Sequence, residues 1–109
     1  MVRGDIVVVA ASGDYGKPRP AVIVQTDTLS ASHESVVVCQ LTAALSAPSV
    51  FRLTIAPTAA NGLHAASQIM ADKPVTVRRS RVANRVGRLA DADLARLDVA
   101  MALVMGLAD

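Results

Sequence analysis

Short β-branched runs set the rhythm of the first half of the chain. Residues 5–10 carry Ile6-Val7-Val8-Val9, residues 20–25 carry Ala21-Val22-Ile23-Val24, and residues 35–41 carry Val36-Val37-Val38. Unbroken runs of this kind predict strands that are buried on both faces or closed into a small barrel. Residues 51–55 alternate and predict a fourth strand. A turn-rich loop at 12–17 and a polar connection at 26–34 separate the first three. Asn61-Gly62 marks a turn within 57–63. Residues 66–70 and 74–78 read as further extended segments, and 85–89 as a short last strand.

Beyond position 90 the period changes. Leu94, Leu97, Met101, Val104 and Met105 recur at helical spacing, which predicts a helix from Asp91, its cap, to about Met105, with Gly106 as the stop. Val99 and Leu103 lie off that stripe, so the helix is apolar on more than one side. A dimer interface and ordinary core packing both fit. Strands first and one terminal helix predict a mainly β, α+β domain over 1–109. Its form would be a small antiparallel barrel or strongly bent sheet with a C-terminal α-helix.

Composition narrows the function. Aromatic residues make up 2%, Tyr15 and Phe51, which argues against the base-stacking sheets of common RNA readers. The apolar runs are too short to span a membrane, and residues 1–5 lack the apolar core of a secretory signal. Cys39 is the single cysteine, so no intrachain disulfide forms and a cytoplasmic setting is expected. The net charge of +2 is unevenly placed: Lys73, Arg78, Arg79, Arg81, Arg85 and Arg88 share a window without an acid. That stripe reads either as a solvated face or as a surface for a polyanion.

Several chemistries drop out. His33 and His64 are far apart, no Cys/His/Asp spacing suits zinc, and Cys39 sits in an apolar strand. No metal and no cofactor is expected. What stands out is Arg19, set between Pro18 and Pro20 at the start of an apolar strand. The prolines stiffen the backbone on both sides. A braced guanidinium fork suits a phosphate. Lys17, Thr42, Ser67 and Gln68 fall at neighbouring strand ends and loops. Such groups could stabilise charge on a phosphodiester whose own 2′-hydroxyl is the nucleophile.

The order of motifs is specific. Arg3-Gly4-Asp5-Ile6-Val7 opens the chain; Arg19-Pro20-Ala21-Val22-Ile23-Val24, Thr42, Asn61-Gly62-Leu63, Ser67-Gln68-Ile69 and Arg85-Val86-Gly87-Arg88-Leu89 follow. This succession resembles the MazF/PemK toxin endoribonucleases of type II toxin–antitoxin pairs over essentially the whole length. The resemblance implies an SH3-like, CcdB-like barrel, a homodimer, and metal-independent cutting of single-stranded RNA at a short sequence. The products would be a 2′,3′-cyclic phosphate and a 5′-hydroxyl. A small cognate antitoxin would block the groove. By the same resemblance Arg19 and Thr42 are the catalytic arginine and threonine. Ser67 stands where many relatives carry Asp; it either donates to a phosphate or satisfies a turn. Gln68, Tyr15, Lys17, Arg78 and Arg79 are candidates for RNA contact. Two other readings remain: a gyrase poison of the CcdB type, suggested by Pro74-Val75-Thr76-Val77, and a non-catalytic barrel for an acidic partner. Against the former, Met105-Gly106-Leu107 lacks the terminal aromatic that such poisons use.

Overall fold

The computed structural model describes residues 1–10, 17–29, 31–47 and 49–108. Six strands come first: β1 (Asp5–Val9), β2 (Arg19–Ile23), β3 (Ser35–Thr42), β4 (Arg52–Ile55), β5 (Ser67–Arg78) and β6 (Val82–Arg88). One helix, α1 (Asp91–Val104), ends the chain. All strand pairs are antiparallel, in the order β4-β5-β3-β2-β1-β6. The expected fold class is therefore found. Among the described residues no helix is long and apolar enough to cross a membrane.

Connectivity forces the sheet to curl. β5 and β6 are joined by one 3₁₀ turn, Arg79–Arg81, yet β3, β2 and β1 lie between them in the sheet. Four strand spacings in a flat sheet would be about 19 Å. The chain from Arg78 to Val82 reaches at most about 14 Å. Curling closes this gap and encloses Val7, Val9, Ala21, Ile23, Val36, Val38 and Val77 as one apolar cluster, with Val82 packed against it. The opposite face carries Ile6, Val22, Cys39, Leu41, Leu53, Ile55 and Ile69. Leu97, Ala100 and Met101 of α1 cover it. Apolar residues on both faces of β1 to β3 explain their unbroken β-branched runs.

Three local expectations change. The extended segments at 66–70 and 74–78 are one strand. Its register against β3 slips between Leu41↔Ile69 and Cys39↔Pro74, so the intervening residues bulge. A proline suits this irregularity, and Arg52 pairs with Asp72 at 3.1 Å beside it. β6 starts at Val82 rather than 85, because Val82 pairs with Val9. Asp91 is the first residue of α1, not its cap. The cap is Ala90, without a side-chain bond, so Asp91 and Asp93 act on the helix dipole instead. Met105 lies past the last helical turn and is exposed.

The helix stop is as expected. Gly106 has φ 72°, the Gly106 N–H donates to the Leu103 carbonyl at 3.2 Å, and the Leu107 N–H to the Ala102 carbonyl at 2.7 Å. Those two bonds define a Schellman motif, which favours glycine at this left-handed position. The Asn61-Gly62 turn is also present. Asn61 is buried, accepting from the N–H groups of Thr58 and Leu63 and donating to the Ala56 carbonyl.

Candidate active site

Strand register assembles the site. Arg19 opens β2 opposite Val9, and Ala21 faces Gln40 on β3. Continued by two residues, that register sets Arg19 opposite Thr42. Thr42 in turn faces Gln68, and Gln68 faces Thr54. Arg19, Thr42, Gln68 and Thr54 thus form one row across β2, β3, β5 and β4. Facing residues share a face of the sheet, about 5 Å apart. By alternation it is the face of Ala21, Ile23, Val36 and Val38. The apolar cluster therefore ends in a polar mouth formed by Gln40, Thr42 and Arg19. All three are half-buried, and Lys17 and Pro18 are exposed just before them. Sequence reading missed Gln40, although its two-residue spacing from Thr42 was a signal.

The Thr42 hydroxyl is oriented. Its Oγ1 accepts from the Ala44 N–H at 3.1 Å. That bond uses a lone pair and leaves the O–H proton to donate outward. Thr42 is thus arranged as a donor, as a phosphate requires, and Arg19 adds a fixed positive charge.

Ser67 is placed differently. It lies one residue from Gln68, so alternation turns it to the opposite face, opposite Ile55. It is 6% exposed, and its Oγ donates to the Ala65 carbonyl at 3.0 Å. Of its two readings, this geometry matches the turn, and the structure does not bring it together with Arg19 and Thr42. Gln68 is 1% exposed and bonded on every side. Both its carboxamide groups are committed within the protein, so the structure offers RNA no group from it.

The basic stripe divides. Arg78 faces Ser35, seven residues along β3 from Thr42. Arg79 donates through Nε to the His33 carbonyl at 2.7 Å. Neither joins the row of Arg19. Arg85 and Arg88 turn to the buried Asp5 carboxylate at 3.2 and 3.3 Å. Burial pushes the Asp5 carboxyl up, but the Val2 N–H and the two guanidinium groups outweigh this and hold it below the usual carboxylate value. Arg81 lies beside the end of β1. It exchanges hydrogen bonds with Ala10, one residue past the Val9 that faces Arg19. Tyr15 lies outside the described residues.

The remaining candidates do not join this row. His33 and His64 are exposed in loops. Burial pushes the Cys39 thiol up to about 11, and its Sγ lies 3.8 Å from Met101 Sδ, inside the core. No group of three or more His, Cys, Asp or Glu suited to a metal occurs among the described residues.

Known proteins share this fold. A probable endoribonuclease MazF from Mycolicibacterium smegmatis is 46% identical over 109 residues, covering 99% of each chain. A mycobacterial endoribonuclease solved with its cognate antitoxin superposes with a TM-score of 0.83 at 18% identity, covering 100% of this chain and 98% of that one. MazF in a MazE–MazF complex from Deinococcus radiodurans gives 0.79 at 18% identity, covering 99% and 98%. At such identities the superpositions speak to the fold alone. The gyrase-poison alternative gains no support. The model of the PemK-like, MazF-like toxins of type II toxin–antitoxin systems matches residues 2–105, and the chain belongs to that family.

Proposed function

We propose that this chain is the toxin of a type II pair and an endoribonuclease that cuts single-stranded RNA in the bacterial cytoplasm. The observation that carries this reading is the strand register, Ala21 opposite Gln40 and Thr42 opposite Gln68, whose continuation by two residues sets Arg19 beside Thr42 at the polar mouth. The substrate 2′-oxygen attacks the adjacent phosphorus. The 2′-hydroxyl gives up its proton to solvent as the 2′-O–P bond forms, the P–O5′ bond breaks, and the 5′-oxygen takes a proton from solvent. The products are a 2′,3′-cyclic phosphate and a 5′-hydroxyl. Arg19 and the Thr42 O–H stabilise charge developing on the phosphoryl oxygens. Arg19 acts by its charge and its fork of N–H donors, not as a base. No metal is needed, because the nucleophile comes with the substrate. Lys17 and Arg81 flank the mouth and would steer the backbone.

The partners follow the same reading. Val99, 61% exposed, borders an apolar groove with Val50, Leu53 and Leu103, about 590 Å³ in volume, between α1 and the start of β4. We assign it to the homodimer interface. A cognate antitoxin would cover the mouth at Arg19.

The test uses purified protein and a mixed-sequence RNA library in EDTA. A cut oligonucleotide is then remade with a 2′-deoxy group at the scissile position. Cutting of the ribose form alone is expected, with cyclic-phosphate ends by mass spectrometry. Cutting of the deoxy form, or none across the library, would overturn the reading.

A further inference from the structure

Gln68 is the least exposed of the buried polar residues among those described, and all four hydrogen-bonding positions of its carboxamide are taken. Its Oε1 accepts from the Ser46 N–H at 3.0 Å and from the Ser46 hydroxyl at 3.1 Å. Its Nε2 donates to the Ser46 carbonyl at 2.9 Å and to Thr54 Oγ1 at 3.2 Å. Only this orientation of the amide works. Turned over, its NH₂ would meet the Ser46 N–H, donor against donor. Gln68 therefore binds both backbone groups of Ser46, as a neighbouring strand would. One buried side chain docks the connection between β3 and β4 onto the sheet.

That connection begins at Thr42. The Ala44 N–H donates to Thr42 Oγ1 midway between Thr42 and Ser46. The segment is thus held at one end by the sheet and at the other by Gln68. Gln68 also lies directly opposite Thr42. Releasing Ser46 would let Ala44 move and leave the Thr42 hydroxyl without its fixed orientation.

We propose that Gln68 is a positioning residue that, through Ser46 and the Ala44 N–H, aims the Thr42 hydroxyl at the scissile phosphate. This rests on the assignment of Arg19 and Thr42 to RNA cleavage. Gln68 contributes no contact to RNA. Its effect belongs to kcat, whereas that of an RNA ligand would fall on KM.

The experiment is a double-mutant cycle on a cleavable fluorogenic RNA, with Gln68→Ala, Thr42→Ala and both together. Gln68→Ala should lower kcat by on the order of 10- to 100-fold, the cost of a slightly misplaced group. KM should stay within about threefold, and in the Thr42→Ala background the second change should cost less than about threefold. Additive losses, or a raised KM at unchanged kcat, would overturn the positioning role while leaving the site itself standing. Thr42→Ala at the wild-type rate would overturn both. If circular dichroism shows Gln68→Ala unfolded, Ser46→Gly takes its place. It loosens the same segment from an exposed position, and additivity with Thr42→Ala would again overturn the role.

Discussion

Arg19 is held in place twice, by the prolines on either side and by a strand pairing that begins at Arg19 itself. What the site needs from it is a planar fork as well as a charge. Arg19→Lys keeps the charge and loses the fork. We expect single-turnover cleavage to fall by about 100-fold, the scale for losing one oriented donor, with RNA affinity changed far less. A lysine variant at full rate would show that charge alone is enough. Asp5 is the second residue whose environment decides its behaviour. Its carboxyl is held below the ordinary value of 3.8. The unfolded chain therefore takes up this proton first as pH falls. The stabilisation is present above about pH 4 and is lost as pH drops through the folded value. Asp5→Asn should cost about 2 kcal/mol at neutral pH, the worth of hydrogen bonds to a charged group. It should also flatten the acid limb of the stability profile measured by urea denaturation. An unchanged acid limb would assign that limb to other carboxylates.

Elements turn such residues into geometry. The Asn61-Gly62 turn packs onto β6 so closely that a Cβ at Gly87 would overlap the Asn61 backbone. The Arg88 N–H also donates to the Ala60 carbonyl at 2.9 Å across this contact. Backbone cannot move aside as a flexible side chain can, so Gly87→Ala should cost about 3 kcal/mol. The melting temperature should fall by on the order of 10 °C, measured by calorimetry. An unchanged melting temperature would mean that the turn shifts freely. Existence and type of elements were legible in the sequence, because β-branched runs, an Asn-Gly turn and a helical stripe are local signals. The bulge at 70–73 was not, since it exists only as a slip in pairing between distant strands. The site was legible in part for the same reason. Arg19 announces itself through its prolines and Thr42 through its strand end. The face on which Ser67 or Gln68 points depends on register, and register is a tertiary fact. The basic stripe stayed open between a solvated face and a polyanion surface because charge is visible in a sequence, while the pairing of Arg85 and Arg88 with Asp5 is not.

At the scale of the molecule, one face of the sheet is closed by its own curl and the other is covered by α1. The outer side of that helix stays uncovered. Leu97, Ala100 and Met101 bury inward, yet Val99 stays 61% exposed and Val50 56% exposed across the groove. An apolar surface of this kind, bordered by Arg96 and Ser49, suits a second copy of the chain better than water. Val99 adds little to the folded monomer, so its substitution separates assembly from folding. Val99→Asp should convert a dimer into a monomer in light scattering, with a melting temperature that loses its dependence on protein concentration. Residual cleavage by the monomer would then show how much of the RNA groove one copy supplies. A Val99→Asp protein that remains dimeric would move the interface off α1.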